Sequence, residues 1–228
     1  MNKLEIEIEK YFSDHPLALP LFQMLKEVGE IYVMGGLLRE YRDNHRILEL
    51  RDADFSIHVK DRDTWNAIIN NIPNRKNRFG GYKFECQGLI IDIWDIEDTW
   101  ALKSNLINIR NDNFLDMLPN SVFLNMDALV YDITNDRWED NIYNNAIRTN
   151  VLDVVLEKNP YIELNILRAM ILRKKYNMTY SERLKEIMRN CLLENSDFLN
   201  LLLQIQKERY TNIMMSREEI QFELDSLY

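Results

Sequence analysis

An α/β head followed by an all-helical tail is the fold class this sequence predicts, with the join near residue 145. Three observations predict it. Short β-prone runs alternate with amphipathic stretches through the first part of the chain, so strands and helices are interleaved there. Past residue 145 only helical periodicity remains. Within the interleaved part, a strand-like Ile31-Tyr32-Val33-Met34 runs into Gly35-Gly36 and then a helical Leu37-Leu38-Arg39-Glu40.

The elements follow in order. Residues 3–13 and 16–29 read as amphipathic helices parted at His15-Pro16. A strand over 31–34, a helix over 36–43 and a strand over 53–59 come next. Asp61-Arg62-Asp63-Thr64-Trp65 opens a helix that ends before Pro73. Residues 74–81, basic and then Gly-Gly, read as a loop, and 82–96 as a hairpin turning near Gln87-Gly88. Asp98-Thr99-Trp100-Ala101 reads as a capped turn. The run 122–132 alternates as a strand, with Leu124, Met126, Ala128 and Val130 on one face. Asp132 to Trp138 turns back as a hairpin. Helices are predicted over 150–156, 161–176, 181–193 and 197–210, and Ser216-Arg217-Glu218-Glu219 spells a capping box for a last one. This gives a head over 1–145 and a helical, neck-like region over 146–228.

Bulk properties exclude several classes. A chain of 228 residues with 46% hydrophobic content and only six Gly and five Pro has enough apolar surface for a packed core, which argues against disorder. No apolar run reaches membrane-spanning length and no signal-peptide pattern opens the chain, so no membrane partner is expected. Cys86 and Cys191 stand far apart without disulfide or metal spacing, which fits reduced thiols and a cytoplasmic location. The net charge of −9 opposes a grip on long nucleic acid, which is driven by phosphate neutralisation. The one basic cluster, Arg168 and Arg173-Lys174-Lys175 continuing to Arg183, Lys185 and Arg189, reads either as a local patch or as solvated helix surface.

Two features carry chemistry. A glycine pair at the head of a helix leaves unpaired backbone N–H groups in the positive end of the helix dipole, and a bulky anion can approach them closely. Arg39 lies one turn beyond Gly35 and Gly36, within reach of the same place. The second feature is Asp52-Ala53-Asp54 at a strand start. Alternation puts Asp52 and Asp54 on one face, and two like charges that close need a cation or a proton between them. Oxygen ligands of this kind suit Mg²⁺. Ser56 and His58 continue that polar face.

A third acid is available in Gly88-Leu89-Ile90-Ile91-Asp92-Ile93-Trp94-Asp95. Asp92 is the more embedded and is taken as the third ligand, unless it pairs with a buried basic residue; Asp95 faces the other way and ranks second. Lys103 is placed within reach of a phosphate, or is an ordinary exposed lysine. Asp127 lies either beside the acids or against a backbone turn.

The order Gly-Gly-x-x-Arg, then Asp-x-Asp at a strand start, then a later strand acid, resembles the DNA polymerase beta nucleotidyltransferase superfamily. Within it, residues 31 to 180 most resemble the head and neck of tRNA CCA-adding enzymes and bacterial poly(A) polymerases. Asp127-Ala128-Leu129-Val130 falls where that family has an Asn-Ala-Leu-Ala strand, and Leu167-Arg168-Ala169 is similar to its neck-helix motif. The resemblance implies a mixed sheet flanked by helices and two-metal nucleotidyl transfer. Asp52 and Asp54 would hold two Mg²⁺ ions, with Mn²⁺ a possible substitute. Asp92 would bind one of them and act as base. Gly35, Gly36, Arg39, Lys103 and Arg168 would meet the phosphates or the nucleotide.

Two departures restrict the expectation. The family's Arg-Arg-Asp reads Ser121-Val122-Phe123 here, and its Glu-Asp-x-x-Arg base-reading signature has no counterpart. The expected activity is therefore transfer of a nucleoside monophosphate from an NTP, ATP among them, to a hydroxyl on a small-molecule or protein acceptor, not tRNA CCA addition. The alternative is a non-catalytic nucleotide-binding or interaction module on the same fold.

Overall fold

Ala53, Phe55, Ile57 and Val59 are buried while Asp52, Asp54 and His58 between them are half-exposed, so the segment Asp52–Val59 (β2) has one apolar side to hide. Two helices hide it. Phe12 from α1 (Lys3–Ser13) and Phe22 from α2 (Ala18–Val28) close on the Phe55 ring at centroid distances of 6.1 and 5.5 Å. The computed structural model describes residues 2–77, 79–108 and 113–228. The chain divides into two units, Met1–Ser121 with Asp127–Asn141, and Val122–Met126 with Ile142–Tyr228.

The first unit is built on a seven-stranded mixed sheet. Beside β2 its strands are β1 (Gly29–Met34), β3 (Arg75–Lys76), β4 (Tyr82–Cys86), β5 (Leu89–Asp95), β6 (Val130–Asp132) and β7 (Arg137–Glu139), in the order β3-β4-β5-β2-β1-β6-β7. The β2–β5 pair is parallel and all other pairs are antiparallel. A parallel pair needs a crossover. Helix α4 (Arg62–Asn71) begins it, capped by the Asp61 carboxylate, which accepts from the N–H groups of Asp63 and Thr64. The β4–β5 hairpin completes it through a two-residue turn, Gln87 and Gly88, both at positive φ, as a type I′ turn requires. Helix α3 (Gly36–Asn44) leaves the end of β1.

A second cluster covers part of the opposite side of the sheet. Tyr32 and Val130 there pack with Ile96, Phe114 (α6, Phe114–Met117), Leu115, Met117 and Leu118, and α5 (Trp100–Lys103) lies in the same connection. The second unit holds α7 (Asn141–Thr149), α8 (Ile162–Tyr176), α9 (Glu182–Glu194), α10 (Phe198–Arg209) and α11 (Arg217–Asp225), with a parallel two-stranded β8 (Val151–Leu152) and β9 (Thr179–Tyr180). The capping box at Ser216 forms as read: its hydroxyl accepts from the Glu219 N–H and the Glu219 carboxylate accepts from the Ser216 N–H. Among the described residues no helix is long and apolar enough to cross a membrane.

Two elements differ from the sequence reading. The strand expected over 122–132 is β-structured in the first unit's sheet only at Val130–Asp132. Its first part turns instead to the 153–156 segment, where Val155 N–H donates to Phe123 O at 2.8 Å and Leu156 N–H to Val122 O at 3.0 Å. Asn125 fixes the change of partner, its amide donating to Val151 O (2.9 Å) and accepting from Asp153 N–H (3.1 Å). The helix expected over 150–156 is also absent. Asn150 takes φ +56° after the last residue of α7, and β-branched Val151 and Val154 enter β pairing. The loop read over 74–81 contains the short β3; Arg78 within it lies outside the described residues.

Candidate active site

Strand register assembles the acids. Asp54 on β2 is paired with Asp92 on the parallel neighbour β5, and Asp52 stands two residues before it on the same face. Neighbouring strands lie about 4.8 Å apart, so the Asp54 and Asp92 side chains rise side by side. Ile91 and Ile93 point to the other, buried face, as does Asp95.

The glycine turn meets the same spot. Gly35 has φ +70° and ψ −130°, a conformation that side chains disfavour, and a Cβ there would stand 3.3 Å from the Asp54 Oδ2 atom. Gly36 opens α3, and a Cβ at Gly36 would lie 3.9 Å from the Arg39 guanidinium, which folds back over the helix start. Arg39 is held there by an ion pair with Asp127, both side chains being nearly buried. Asp127 thus anchors Arg39 over the start of α3.

The carboxylates differ in their surroundings. Asp52 is clasped by its neighbour Arg51, at 2.9 Å from Nε and 2.5 Å from Nη2. Asp92 is 3% exposed. Its Oδ2 accepts from the Lys83 ammonium on β4, and its Oδ1 accepts from the Asn77 amide at 3.1 Å. Burial pushes the Asp92 carboxyl above the usual carboxylate range; Lys83 and Asn77 pull against that rise, and the Asp52 charge adds to it. Lys83 and Asn77 were not singled out in the sequence. Lys83 was legible: a turn at Gln87-Gly88 pairs Cys86 with Leu89, and hence Lys83 with Asp92.

The remaining expected residues have partners of their own. Asp95 is structural: it pairs with Arg62 and caps the turn at Ile96–Asp98 by accepting from Glu97 N–H at 3.1 Å. Lys103 is an exposed lysine in an ion pair with Asp98 at 3.0 Å. Arg168 is on α8, in the second unit. The polar face is interrupted at Ser56, while His58 beyond it stays half-exposed. Ser56 is buried with its hydroxyl 3.6 Å from Met34 Sδ, and His58 packs on the Phe114 ring at 4.5 Å and meets Glu30 at 3.2 Å.

The fit to a divalent cation is divided. Asp52 and Asp54 offer the hard oxygen donors of a Mg²⁺ site on one strand face beside an anion-receiving helix start. Asp92 does not fit as it stands, because both its oxygens are engaged. Consistent with that, no group of three or more His, Cys, Asp or Glu among the described residues is arranged to hold a metal.

Solved structures share this arrangement of a mixed sheet with helices after it, the sheet that here carries the acids beside the glycine turn. A CCA-adding enzyme in an apo form aligns with a TM-score of 0.61 and 16% identity, covering 96% of this chain and 53% of its own. A tRNA-processing enzyme solved with CTP aligns at 0.59 and 17% identity, covering 91% and 56%. The Thermotoga maritima CCA-adding enzyme in complex with tRNA aligns at 0.58 and 16% identity, covering 96% and 55%. Identities at this level establish a shared fold. The chain spans little more than half the length of these structures. No family profile and no curated sequence matches it.

Proposed function

We propose that the acidic face is the active site of a nucleotidyltransferase that moves a nucleoside monophosphate from an NTP to a hydroxyl. The observation that carries this is the meeting of Asp54 with the Gly35 turn, 3.3 Å from a Cβ built there, in register with Asp92 on the next strand. That juxtaposition brings a metal-type carboxylate pair and a phosphate-type helix start to one place. Asp52 and Asp54 would hold Mg²⁺, two ions in the full arrangement, with Mn²⁺ as substitute. The metal would supply charge neutralisation on the phosphates.

The rest falls to the chain itself. Backbone N–H groups at the start of α3 receive the triphosphate, and Arg39 over Gly36 adds positive charge at its edge. Asp92 faces the acceptor side. Its burial-raised basicity suits it to accept the proton of the attacking hydroxyl. The net charge of −9 favours a small-molecule or protein acceptor over long RNA, and a cytoplasmic setting is part of the same reading.

The test is transfer of label from each α-labelled NTP to a component of a cell extract, with Mg²⁺. Label that moves with wild type and not with Asp52→Asn/Asp54→Asn supports the reading; label that moves equally with both contradicts it. One observation favours a second reading, a nucleotide-binding module without turnover: Asp92 is engaged by Lys83 and Asn77, and Arg39 by Asp127. Metal-dependent NTP binding with no transfer would select it.

A further inference from the structure

The most embedded acid of the face carries its own cation. We propose that Lys83 is the resident counter-cation of Asp92 and competes with a divalent metal for that carboxylate. Metal then reaches Asp92 only when the ammonium withdraws. This rests on the proposed reading of the face as metal-binding, and it adds a positioning residue to that site.

The geometry is specific. Lys83 is directly opposite Asp92 across the β4–β5 ladder and its ammonium takes Oδ2. The other oxygen takes the Asn77 amide, whose orientation is fixed from behind: Asn77 Oδ1 accepts from the N–H groups of Phe79 and Gly81, each at 2.9 Å. With its acceptor end so held, the Asn77 Nδ2 can only donate forward, to Asp92. The two partners therefore differ in mobility. Asn77 is tied to backbone, whereas Lys83 is a flexible side chain, 34% exposed, over a carboxylate 4% exposed. The ammonium can leave towards water; the carboxylate cannot. A triphosphate arriving at the helix start would give the departing ammonium a new anionic partner.

Asp95, three residues on along the same strand and so on its opposite face, shows the contrast. Its carboxylate accepts from both Arg62 and a backbone N–H, a cap as well as an ion pair, and lies away from the glycine turn.

The experiment titrates Mn²⁺ alone into the full chain, by calorimetry, for wild type, Lys83→Met, Lys83→Arg, Asp92→Asn and Lys83→Met/Asp92→Asn. Lys83→Met should bind Mn²⁺ about tenfold more tightly, the scale on which neighbours of metal ligands act. The gain should vanish in the Asp92→Asn background, and Lys83→Arg should stay near wild type. Wild-type binding that Lys83→Met leaves unchanged would overturn the proposal while leaving the metal reading intact. Absence of Mn²⁺ binding in every variant would overturn both. Should Lys83→Met not fold, wild type alone decides: Mn²⁺ should speed reductive methylation of Lys83, read by mass spectrometry, and an unchanged rate in Mn²⁺-bound protein would overturn the competition.

Discussion

Gly35 is the position where one added methyl should disturb the candidate site most. Its backbone conformation disfavours any side chain, and an alanine Cβ would press on the Asp54 carboxylate at 3.3 Å. Gly35→Ala should cost about 1–3 kcal/mol in urea unfolding, the range for a strained backbone, and should weaken Mn²⁺ binding as well. Lys83→Met should also destabilise the metal-free protein, since it leaves a buried carboxylate without its cation. Because Lys83 is a third exposed, the loss should fall below the roughly 3 kcal/mol typical of a broken buried pair, and Mn²⁺ should restore part of it. At this scale the acids were legible because strand alternation is a rule of geometry. Lys83 was legible through hairpin register. Asn77 was not: its role depends on backbone donors at Phe79 and Gly81 that no periodicity reveals.

At the scale of elements, the capped and strongly periodic segments were legible, and the failures lie where a segment changes partner. Residues 122–126 alternate like a strand, yet they bond to the 153–156 segment, and the sequence pattern carries no label for which edge a strand joins. The same exchange draws Val151–Leu152 and Val154 into β pairing instead of a helix. Local caps behave more predictably: Ser216→Ala should lower stability by about 1 kcal/mol in chemical unfolding, because one orphan N–H at the start of α11 loses its acceptor. The β1–β2 pair gives a pH prediction. Burial raises the Glu30 carboxyl, but hydrogen bonds from Lys60 and His58 outweigh it, so its folded pKa lies below the ordinary value. An acid lowered in this way adds stability that is complete above the unfolded pKa of about 4.3 and is lost as pH falls through the folded one. Glu30→Gln should therefore flatten the acid limb of stability below about pH 4, measured as the urea midpoint against pH. An unchanged limb would mean that the Lys60 and His58 contacts do not form in solution.

On the scale of the whole molecule, interleaved strands and helices followed by helices alone predicted a mixed α/β head with a helical tail, and that is the architecture found. The acceptor is legible in neither sequence nor fold, since a fold hosts sites without dictating substrates. The charge balance does make a prediction: at physiological salt the protein should not retain a long single-stranded RNA in a filter-binding assay. Retention lost on neutralising Arg173, Lys174 and Lys175 would instead mark the basic part of α8 as a nucleic-acid surface.

The central claim is that Asp54, set against the Gly35 turn and beside Asp92, does chemistry on a nucleotide. Pyrophosphate release from each NTP, with Mg²⁺ or Mn²⁺ and an extract as acceptor source, tests it most directly. Release that needs the metal and disappears in Asp54→Asn, with folding intact by circular dichroism, is the predicted result. Release that survives Asp54→Asn would contradict the account.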